Sequence, residues 1–124
     1  MNTLIEMKEF SYLLRFNKNK IVDNWLEDQH VKDIFLTHQL VLNSEQKKVF
    51  YEIFESIIGS IQWDLSISDS PTNSNFLKIL NKASFSTNDF FTLFTSLKNT
   101  LILFFSLEGI LSFKLLRDIE NIFL

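Results

Sequence analysis

The sequence predicts an all-α fold, a bundle of five to seven helices, and three observations carry that prediction. Apolar residues recur at spacings of three and four along most of the chain, which is the period of a helix face and not the alternation of a strand. Gly and Pro number only two and one in 124 residues, so little interrupts those periods. Ser, Asn and Asp stand just ahead of the longest apolar runs, where they serve as helix caps.

The first helix is expected over about 3–16, with Leu4, Ile5, Phe10, Leu13 and Leu14 as its stripe, Met7 between them, and a bend at Asn17 to Asn19. A second spans about 20–29 in "KIVDNWLED". There Ile21, Val22, Trp25 and Leu26 share one side and Asp23, Asn24, Glu27 and Asp28 the other, so Trp25 faces inward. A short helical turn through Val31, Ile34, Phe35 and Leu36 follows, then a loop over 38–43. Asn43 or Ser44 opens the next helix, with Gln46 three residues after Asn43 in the manner of a capping box. Its stripe is Val49, Phe50, Ile53, Phe54, Ile57, Ile58 and Ile61, ending near Trp63 or Leu65.

"SISDSPTNSN", 66–75, has the composition of a connecting loop, and a short helix through Phe76, Leu77, Ile79 and Leu80 comes after it. Ser86, with Asp89 three residues on, caps a long apolar helix through Phe90, Phe91, Phe94, Leu97 and Leu101. Gly109 either breaks that helix or is absorbed into it. The final segment, 110–124, sets Leu111, Leu115, Leu116, Ile119, Ile122 and Phe123 opposite Lys114, Arg117, Asp118 and Asn121, which reads as a long C-terminal helix. The whole chain, 1–124, reads as one domain, and its expected core holds Ile21, Trp25, Phe50, Ile53, Phe54, Ile57, Phe94, Leu97 and Leu101.

Composition excludes several functions. A net charge of −3 with scattered Lys and Arg argues against a nucleic-acid or anionic-membrane surface. Without cysteine there is no disulfide, thiolate nucleophile or Cys-ligated metal. Glu6 and Glu9 stand where a signal peptide would be basic and apolar, and the apolar run 101–113 is too short for a bilayer and contains Glu108. A cytoplasmic protein with no membrane insertion is therefore expected. The fourteen Phe reflect AT-rich codons before function, yet they still require a thick aromatic core.

No reactive constellation appears. His30, Asp33 and His38 lack metal-site spacing, Glu27 and Asp28 read as solvated helix surface, and no serine has the setting of a nucleophile elbow. Gly59 and Gly109 are isolated, so no glycine-rich phosphate loop exists. We therefore expect no catalytic residues, no metal and no cofactor. A haem would have to take His38 or His30, since no His, Met, Tyr or Cys follows Trp63. Thr92, Thr95, Ser96, Asn99 and Thr100 could line a small-molecule cavity or bond back to the preceding helical turn.

"KIVDNWLED", the central "FYEIFESIIGSIQ", and then a loop, a short helix and "FSTNDFFTLFTSLKNTLILFF", in that order, resemble the N-terminal regulatory domain of the RsbT co-antagonist proteins and related bacterial sensors. That resemblance implies an all-helical domain, globin-like without haem in some members. It also implies dimerisation ahead of an output module such as a histidine kinase, diguanylate cyclase or STAS domain. It carries no catalytic residue onto this chain.

The apolar C-terminal face points the same way, since uncovered faces of that kind mark interfaces. Leu111, Leu115, Ile119, Ile122 and Phe123 are the expected homodimer seam; the alternative is that they complete the domain's own core. The function read from the sequence is thus a non-catalytic sensor or input domain of a bacterial signalling protein. A haem- or small-molecule-binding gas sensor and a freestanding protein-binding adaptor are the alternatives.

Overall fold

In the computed structural model, residues 3–62 and 86–123 are described, with side chains over 9–59 and 86–123. Six helices and no strand lie among the described residues: α1 (Thr3–Phe16), α2 (Lys18–Glu27), α3 (Gln29–Thr37), α4 (Ser44–Gln62), α5 (Thr87–Leu107) and α6 (Phe113–Ile122). The expected loop over 66–75 and the short helix after it lie outside the described residues, as do Trp63 and Leu65. So do the side chains of Leu4, Ile5, Met7 and Ile61.

The breaks between helices have distinct local causes. Asn17 ends α1 by donating from both its main-chain N–H (3.2 Å) and its Nδ2 (2.9 Å) to the Leu13 carbonyl. Asp28 divides α2 from α3 alone, with an extended backbone at φ −63° and ψ 138°, and its carboxylate accepts from the His30 N–H as the N-cap of α3. The sequence places that boundary a residue later and leaves Asp28 in solvent. At Asn43 half of the expected capping box forms: the Gln46 N–H donates to Asn43 Oδ1 at 2.9 Å, while Gln46 Oε1 is buried without a partner. At Ser86 both halves form, the Asp89 N–H donating to Ser86 Oγ (3.2 Å) and the Ser86 N–H to Asp89 Oδ2 (2.9 Å).

Two helices stop with the same hydrogen-bond pair. After α5, the Gly109 N–H bonds to the Ser106 carbonyl and the Ile110 N–H to the Phe105 carbonyl, with Gly109 left-handed at φ 74°. After α3, the Gln39 N–H bonds to the Leu36 carbonyl and the Leu40 N–H to the Phe35 carbonyl, with Gln39 left-handed at φ 55°. Both are Schellman caps, which satisfy carbonyls a helix end would orphan. Gly109 therefore ends α5 outright. The last helix begins at Phe113, capped by Ser112 Oγ accepting from the Leu115 N–H, and is ten residues long. The long element is the one before it, α5, of 21 residues.

Helix α2 lies at the centre, packed on α1, α3, α4 and α5; α1 also packs on α4, α3 on α5, and α6 on α5. The core contains every residue expected there: Ile21, Trp25, Phe50, Ile53, Phe54, Ile57, Phe94, Leu97 and Leu101. Trp25 is wholly enclosed and meets Phe50 edge to face at 4.7 Å between ring centres, a favoured aromatic geometry. By length and composition α5 is a helix that could cross a membrane. In this fold it is the core helix on which α2, α3 and α6 pack.

Candidate functional site

Helix α5 brings together the polar residues that the sequence offers as a cavity lining, and it uses them in different ways. Thr100 is buried, and its Oγ1 donates to the Ser96 carbonyl at 2.8 Å, the back-bonding habit of Thr inside helices. Ser96, also buried, donates from Oγ to Asp28 Oδ2 at 2.8 Å. That oxygen also accepts from the His30 N–H and lies 3.2 Å from His30 Nδ1. Asp28 thus joins the α2–α3 junction to the middle of α5.

Above that node lies a concavity of about 280 Å³, bordered by His30, Phe91, Thr92, Thr95, Ser96 and Asn99. It continues along α5 into a second of about 350 Å³, which Asn99 shares and in which Asn24, Glu27 and Leu103 take part. A third, with Lys20, Asp23 and Glu108, adjoins it through Asn24, Phe104 and Leu107. Together they form a groove between α2 and α5. Its lining offers hydroxyls, the amides of Asn24 and Asn99, the carboxylates of Asp23, Glu27, Asp28 and Glu108 and the Lys20 ammonium, and its rim offers exposed Phe91, Leu103 and Leu107. This chemistry suits reversible contact through hydrogen bonds and apolar area.

The histidines are placed otherwise than a haem reading needs. His38 Nε2 sits 2.7 Å from Asp89 Oδ2, so the carboxylate that closes the Ser86 capping box also clasps the end of α3. Burial pushes the Asp89 carboxyl up, but the Ser86 N–H, the His38 ring and the Ser86 hydroxyl outweigh it and hold the group below its ordinary value. His30 lies on the surface, beside Asp28. Among the described residues no cluster of three His, Asp or Glu is placed to hold a metal ion.

The expected dimer seam lies inside the protomer. Leu115, Ile119 and Ile122 are buried against α5, and Leu111 and Phe123 pack on the same core. Phe123 meets Phe94 at 6.2 Å between ring centres. The amphipathic pattern of α6 is correct, but its apolar face is covered by this chain's own α5. A twin molecule cannot use that face without unpacking the helix.

Comparisons of the chain with protein-family models, with curated proteins and with solved structures return no match.

Proposed function

We propose that this chain is a non-catalytic input domain of a bacterial cytoplasmic signalling protein, working as a homodimer and passing a change in helix packing to an output module or partner protein. The observation that carries the reading is that α5 bears two features at once. One side of it holds Ser96 on Asp28, and so holds the α2–α3 junction in place. The adjoining side carries an uncharged exposed row that another molecule can cover. A small polar ligand seated among His30, Phe91, Thr92, Thr95 and Asn99 would compete for the Asp28 and Ser96 hydrogen bonds. Shifting that pair moves α2 and α3 relative to α5, and so reshapes the groove beside the exposed row. A ligand that prefers one of the two packings biases the equilibrium by its difference in affinity and by nothing more.

Sedimentation from low to high micromolar concentration tests the association on which the reading rests. A reversible dimer is the expected result. A monomer throughout that range would remove the homodimer and leave the adaptor reading in its place.

A further inference from the structure

We draw no further inference here: the strongest candidate, the groove between α2 and α5 with exposed Phe91, Leu103 and Leu107 along its rim, belongs to the site already described, and nothing in the structure shows what covers it.

Discussion

The indole Nε1 of Trp25 donates to the Leu93 main-chain carbonyl at 3.1 Å, joining α2 to α5 across 68 residues of sequence. The ring packs on Phe50 of α4, so one side chain ties three helices. Truncating Trp25→Ala should cost about 3–5 kcal/mol in a denaturant melt followed by circular dichroism. Trp25→Phe keeps an aromatic ring against Phe50 and should cost roughly 1–2 kcal/mol, since a helical carbonyl that loses a second donor is not orphaned. A loss below 1 kcal/mol for the Ala variant would contradict the enclosed placement.

The two left-handed caps should respond in opposite directions. Gln39 pays for its φ of 55° with a side chain that crowds the backbone, so Gln39→Gly should raise stability by up to about 1 kcal/mol. Gly109 has open space where a Cβ would stand, so Gly109→Ala should lose about 1–2 kcal/mol from backbone strain alone. Urea midpoints moving the same way for both variants would refute the Schellman assignment.

Asp89 should make stability depend on acid. Its folded carboxyl sits lower than in the unfolded chain, so its contribution is whole above the ordinary Asp range near 4 and fades as pH falls through the folded value. Melts of wild type and Asp89→Asn, followed from neutral pH down through that range, should converge as the acid limit is approached. A constant gap would mean that the carboxylate is not held by its Ser86 and His38 partners.

The Asp28 node predicts a non-additive pair. Ser96→Ala should cost about 1 kcal/mol. Asp28→Ala should cost about 2 kcal/mol, because it strips the α3 cap and leaves the buried Ser96 hydroxyl unpaired. Adding Ser96→Ala to Asp28→Ala should then cost almost nothing, the sign of coupled residues in a thermal-melt cycle. Simple addition would show that the two do not interact.

How far the sequence foretold these features depends on the kind of interaction. The inward face of Trp25 was legible, because Ile21, Val22, Trp25 and Leu26 repeat at helical spacing; its bond to Leu93 was not, since any main-chain carbonyl looks alike in a sequence. Gly109 marks a break point that the sequence leaves open, whereas Gln39 adopts the same conformation with a residue that sends no such signal. Asp28 reads as one more surface carboxylate, and only the fold brings Ser96 and the start of α3 to it. The pattern of α6 says that Leu115, Ile119 and Ile122 will be covered, but periodicity does not say by which molecule. Thr92, Thr95, Ser96 and Asn99 were correctly grouped because one helix carries them. The groove they border needed α2, whose distance in sequence hides it.

The complete enclosure of Trp25 supplies this protein with an internal optical reporter. In a Trp63→Phe background the remaining indole should emit at short wavelength and resist quenching by iodide, and any rearrangement that parts α2 from α5 would redden that emission without an added label.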